Sequence, residues 1–146
     1  VLLPKATPVE WLAQADPDPE HAFNWWVQHP NEIAMLPLGS LFDVVKTGLT
    51  LGQRILMHLT VTERRCPCFV NLDLGTMYFL VPPNSAASWP ADADAEYLGE
   101  GMWLWVPVPT RVRRDGTYWA QAPDGTGLLH EPQSLQVALT AARGAS

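Results

Sequence analysis

Apolar and polar positions change period several times along this chain, and each change marks an element. In ADPDPEHAFNWWVQHP, Ala22, Trp25, Trp26 and His29 recur at helical spacing, which predicts a helix from about Asp18 to Pro30. Asp18 is placed to cap the first amides, Pro19 suits the first turn, and Glu20 complements the positive end of the helix dipole. One Trp of the pair should face the core and the other lie partly exposed. EIAMLPLGSLFDVV reads as two short apolar strands broken by Pro37 and Gly39, either a hairpin or an adjacent pair. LTLGQRILMHLTVTER puts Leu51, Ile55, His58 or Leu59, and Thr62 on one face, a helix that Gly52 should weaken.

CFVNLDLGTMYFLVPP predicts a hairpin turning between Asp73 and Gly75, and the small polar run SAASWPADADAE predicts a loop. GMWLWVPVP alternates as a strand, with Met102 and Leu104 on one face and Trp103 and Trp105 on the other. A face carrying both Trp side chains is either core or an interaction surface. RRDGTYWAQAP predicts a third hairpin through Asp115 and Gly116. PQSLQVALTAARG closes as an amphipathic helix with Gly144 just past its end. No internal repeat or low-complexity tract interrupts the pattern. Helices and antiparallel hairpins in this order argue an α+β fold, a compact single domain of antiparallel hairpins with flanking helices, rather than a regular βαβ winding.

Composition sharpens this picture. With 146 residues, 47% of them hydrophobic, the chain is the size of one domain and can bury a core large enough to fold alone. Its fourteen prolines keep elements short, and its seven tryptophans supply much of the packing area. The formal net charge of -6 disfavours sequence-independent binding to nucleic acid, which draws its affinity from Lys and Arg on phosphates, although a local basic patch is compatible with it. No apolar run approaches the length of a membrane span, and VLLPKATP lacks the charged start and long apolar centre of a signal peptide, so a cytoplasmic protein is expected. Cys66 and Cys68, in CPC, are too close for an ordinary disulfide and two ligands short of a closed zinc site; His58 reaching toward them from the preceding helix would make only three ligands.

Most catalytic chemistries find no support. His21, His29, His58 and His130 sit on helices or a loop with no nucleophile motif nearby, and neither dinucleotide-binding nor P-loop glycine spacing occurs. Two-metal nucleotidyl transfer needs carboxylates converging from neighbouring strands, for which Asp43 and Glu96 are candidates.

Three runs carry a family resemblance. DPDPEHAFNWWVQHPNEIAMLPLGSLFDVV, a capped helix with a Trp pair and a His-Pro ending before two strands, resembles the prim-pol domain of bifunctional DNA primase/polymerases. LGTMYFLVPP resembles that family's histidine-bearing strand, and EYLGEGMWLWVPVPTRVRRDGTYWAQAP its acid, Gly-rich turn, apolar strand and Gly-x-Tyr-x-Trp segment. The likeness spans roughly residues 15 to 123 and is closest to short, actinobacterial-type members of this archaeo-eukaryotic primase-like group. It implies an RRM-like core and, in active members, magnesium or manganese held by acids. Position by position, Asp43 matches the first acid of the strand, Val45 replaces the second, Met77 replaces the nucleotide-contacting histidine, and Glu96 stands at the third acid. Thr110 stands where a serine is usual, and Val108 separates Pro107 from Pro109.

These departures imply a loss of catalysis by several orders of magnitude, because the metals supply most of the charge stabilisation in the transition state. The expectation is a catalytically inactive prim-pol-like domain without a cofactor, serving as a binding or protein-interaction module in a replication, plasmid, phage or regulatory context. Asp43 and Glu96 would be vestigial or hold a single cation. Trp103 and Trp105 would stack on the bases of a nucleotide or single strand while Arg111, Arg113 and Arg114 meet phosphates. One alternative is an active primase/polymerase using Asp43, Glu96 and a further acid such as Asp73 or Asp94. Another is an oligomeric regulatory adaptor with a protein partner and no nucleotide ligand. Full prim-pol domains begin with a helix and strand that VLLPKATP matches only in part; a missing edge element would leave a strand free to pair with another copy, so self-association is expected.

Overall fold

The computed structural model describes residues 7–144; the opening VLLPKA, part of the run weighed above as a leader or an edge element, lies outside them. Thr7 accepts a hydrogen bond from the Glu10 amide and starts a short helix, α1 (Pro8–Ala13), that periodicity did not announce. The next helix, α2 (Pro19–Gln28), begins at Pro19 as expected, although the Asp18 side chain makes no cap hydrogen bond; Asp16 instead accepts from the Asp18 amide. Trp26 is buried and Trp25 is partly exposed, stacked on His29 at 3.9 Å.

The two strands around Pro37 and Gly39 do not pair with each other. β1 (Ile33–Pro37) joins β6 (Trp103–Pro107) in an antiparallel ribbon, while β2 (Asp43–Gly48) enters the main sheet. Gly39, with φ +103°, makes this switch: a Cβ there would sit 2.9 Å from Glu100 Cβ and 3.0 Å from its Cα. Helix α3 (Leu49–His58) follows β2 directly, then a 3-10 turn (Glu63–Arg65), and the predicted hairpin of β3 (Cys68–Asn71) and β4 (Thr76–Val81). Gly52 is the helix's point of closest approach rather than a weakness, because a Cβ would lie 2.6 Å from Met77 Sδ and 2.7 Å from Thr47 Oγ1.

β5 (Ala95–Leu98) and β7 (Thr117–Gln121) complete a five-stranded antiparallel sheet in the order β5-β2-β4-β3-β7. The third predicted hairpin does not form. The turn at Gly116 delivers β7 to β3, with Phe69 opposite Trp119, because β3's free edge offers a full ladder and residues 110–116 form no strand. β4 lies between β2 and β3, which are parallel to each other and joined by α3, a split βαβ unit. The connection from β4 to β5 carries only a short 3-10 turn (Ala86–Ser88), and the last helix, α4 (Pro132–Gly144), packs beside α3. Such a unit hosts many unrelated functions, so it fixes the fold alone.

The sheet separates two cores. α1, α2 and the ribbon cover Val44, Phe69, Tyr78, Leu80 and Trp119; α3 and α4 cover Val45, Val70, Met77, Phe79 and Val81. The α+β class and single compact domain agree with the sequence pattern.

Candidate functional site

Alternation along β2 decides where its carboxylate goes. Asp43 shares the α3/α4 face of the sheet with Val45 and Thr47, and Val44 points to the other face. Asp43 is 1% exposed. Its Oδ2 accepts from the Asn84 amide at 2.8 Å and from the Tyr97 hydroxyl, while the Ser85 amide donates to that same hydroxyl at 2.9 Å. Burial, followed by the hydrogen bond to Asp43, raises the pKa of Tyr97 above the ordinary tyrosine value. Ser85 Oγ donates to the Pro82 carbonyl at 2.7 Å, and Asn84 takes φ +61°, so the turn after β4 is shaped around the carboxylate. The partner of Asp43 is therefore a tyrosine and a turn amide, and the acid ties β2, β5 and residues 82–85 together. Its second oxygen, Oδ1, is buried with no hydrogen-bond partner among the described residues.

Glu96 does not join it. Glu96 pairs in register with Lys46, and the alternation of β5 sends it to the face opposite Asp43, where it is exposed and lines an open cleft with Lys46, Arg54 and Asp94. A cation shared by Asp43 and Glu96 is excluded by this register. Val45 and Met77, where the resemblance would expect an acid and a histidine, are core residues at 1% and 0% exposure. Asp73 lies exposed in the β3–β4 turn, and Asp94 is exposed before β5. Among the described residues, Asp43 belongs to no group of three metal-ligating side chains.

The remaining candidates separate into two places. Trp103 and Trp105 project from the outer face of the β1–β6 ribbon at 52% and 54% exposure, beside Met35, which is opposite Trp105 in register. Ala34, Leu36, Leu104 and Val106 face the core behind them. Met102, grouped with Leu104 by alternation, is exposed just before β6 begins. Arg111 is committed internally, donating to the Asn31 carbonyl at 2.7 Å. Arg113 and Arg114 are exposed but line two different clefts, neither lined by Trp103 or Trp105. The expected stacking-and-phosphate groove is thus not assembled from these residues.

Sequence reasoning missed Tyr97 and Asn84. The resemblance drew attention to the carboxylates Asp43 and Glu96, whereas Tyr97, the neighbour of Glu96 and 54 residues from Asp43, carries no motif. Alternation on a paired β5 is the signal that would have found it. His58 is exposed at the end of α3; the histidine that approaches Cys66 is His130. Among the described residues, no helix is long and apolar enough to cross a membrane. Comparison of the chain with protein-family models, curated proteins and solved structures returned no match.

Proposed function

We propose that this chain is a non-catalytic protein-interaction module on a prim-pol-like scaffold, docking a protein partner through the outer face of the β1–β6 ribbon. The observation that carries the reading is the adjacency of Trp103, Trp105 and Met35 on one exposed strand face. Exposed aromatic and Met side chains are the residue types enriched in interface cores. Two tryptophans one pleat apart, about 6.8 Å along the strand, add contact area at little entropic cost. The setting of Asp43 supports the absence of catalysis: the acid matching the first position of the family pattern is sealed by Tyr97 and Asn84 and surrounded by Val45, Val81 and Phe79. Net charge -6 and the dispersal of the arginines favour protein over nucleic acid as the partner.

A photocrosslinking residue placed at Met35, with Val137 on exposed α4 as the control position, tests this reading. The expected result is a discrete crosslinked protein, a second copy or another chain, at Met35 only, lost when Trp103→Ala and Trp105→Ala are combined. Equal crosslinking at both positions would reject the surface. Salt-dependent binding of a single-stranded oligonucleotide, lost in the same double variant, would replace the protein partner with nucleic acid. Metal-dependent nucleotide incorporation lost in Asp43→Ala would restore the polymerase alternative.

A further inference from the structure

The 3-10 turn after α3 and the segment leading into α4 meet at a buried cluster that the ribbon does not use. Glu63 Oε2 lies 3.0 Å from His130 Nδ1 across 67 residues of chain. One ligand atom from each of Glu63, Cys66 and His130 lies within 4.8 Å of the other two. His130 is fully buried, and its Nε2 finds no hydrogen-bond partner among the described residues. Cys66 is buried and not in a disulfide. The ring of His130 stands edge-on to Phe79, and its backbone amide donates to the Leu80 carbonyl at 2.9 Å, so its position is fixed by the sheet.

We propose that Glu63, Cys66 and His130 form a binding site for a borderline-soft divalent cation of the zinc class. The mixed donor set selects the ion: thiolate and imidazole suit zinc and cobalt, whereas magnesium and calcium take oxygen shells. A carboxylate, a thiolate and a neutral imidazole together carry two negative charges, matching a dication. A cysteine binds such an ion as its thiolate, so the Cys66 thiol gives up its proton on binding. Binding exchanges the S–H bond for an S–metal bond and releases that proton to solvent. The sulfur keeps both electrons of the broken bond, and no redox partner is involved. Glu63 opens the 3-10 turn, Cys66 directly follows it, and His130 stands two residues before the first residue of α4. The ion would thereby clamp α4 to the turn that follows α3.

Cobalt titration of the reduced, metal-free full chain tests this directly. The expected result is a sulfur-to-cobalt charge-transfer band saturating at one equivalent, displaced by zinc, with one proton released per ion. Cys66→Ala should abolish the band and weaken zinc binding at least about 100-fold, while Cys68→Ala, which alters the neighbouring thiol only, should retain both. Circular dichroism of each variant separates lost binding from lost folding. An absent band in the folded wild type, or an unchanged band in folded Cys66→Ala, would overturn the site. Neither result depends on the ribbon reading.

Discussion

Asp43 and Gly52 show at residue scale how strand and helix context reverses a first impression. Removing the Tyr97 hydroxyl leaves buried Asp43 with the Asn84 amide alone. Tyr97→Phe should therefore destabilise the fold by about 1–3 kcal/mol, read as a lower urea midpoint at unchanged slope. Gly52→Ala would gain about 1 kcal/mol in an exposed helix. Here the added methyl meets Met77 Cβ at 2.8 Å, which its strand holds in place, and Thr47 Oγ1 at 2.7 Å. A net loss of about 1–3 kcal/mol is expected, and a Gly52→Ala protein as stable as wild type would show that α3 can lift off the sheet. Glycine in the helical run was legible, but its reason was not, since the contact depends on where α3 lands on β2 and β4. The same holds for Asp43: its place on a strand was visible, its tyrosine partner was not.

At the scale of elements, helix positions and turn chemistry came through local signals, while strand pairing did not. Trp26 came out buried and its neighbour Trp25 partly exposed because successive helix positions turn by about 100°. The pairing of β1 with β6, and of β7 with β3, depends on crossovers that no local pattern encodes. α4 likewise depends on distant anchors. Arg143 in its last turn bonds Asp92 and Asp94, and Asp92 also accepts from the Asp94 and Ala95 amides that lead into β5. The hydrogen bond from Arg143 outweighs burial and holds the Asp92 carboxyl below its ordinary value of 3.8. Its stabilisation is full above that value and fades as pH falls through the lower folded value. Asp92→Asn should cost up to about 1 kcal/mol near neutrality, the range of a partly exposed ion pair, and the difference from wild type should shrink below about pH 4. Urea unfolding at a series of pH values reads this, and a difference growing toward acid would contradict the assignment.

For the whole molecule, stability follows from a sheet covered on both faces, and the proposed docking surface is the outer side of the ribbon that helps cover one of them. Replacing Trp103 and Trp105 together with alanine should leave the thermal midpoint nearly unchanged, because substitutions away from the core usually shift stability by no more than about 0.5 kcal/mol each. A large drop in a melting curve would mean that the ribbon face is structural. Class and domain count were legible because burial of short amphipathic elements permits few architectures. The proposed docking surface was legible only in part: alternation put the two tryptophans on one face, yet the arginines expected beside them were drawn off by Asn31 and by separate clefts.

β4 is enclosed by strands on both edges and by a core on each face, and its Met77–Val81 stretch carries no charge. Both neighbours, β2 and β3, precede it in the chain, but α4, which seals one of its faces, comes after every strand. During synthesis or dilution from denaturant, an uncharged β-prone segment thus waits uncovered for its final helix, the circumstance in which like segments from separate chains stack. Recovery of native protein on refolding should accordingly fall as protein concentration rises, and adding charge at Val137, on the solvent side of α4, should not rescue it.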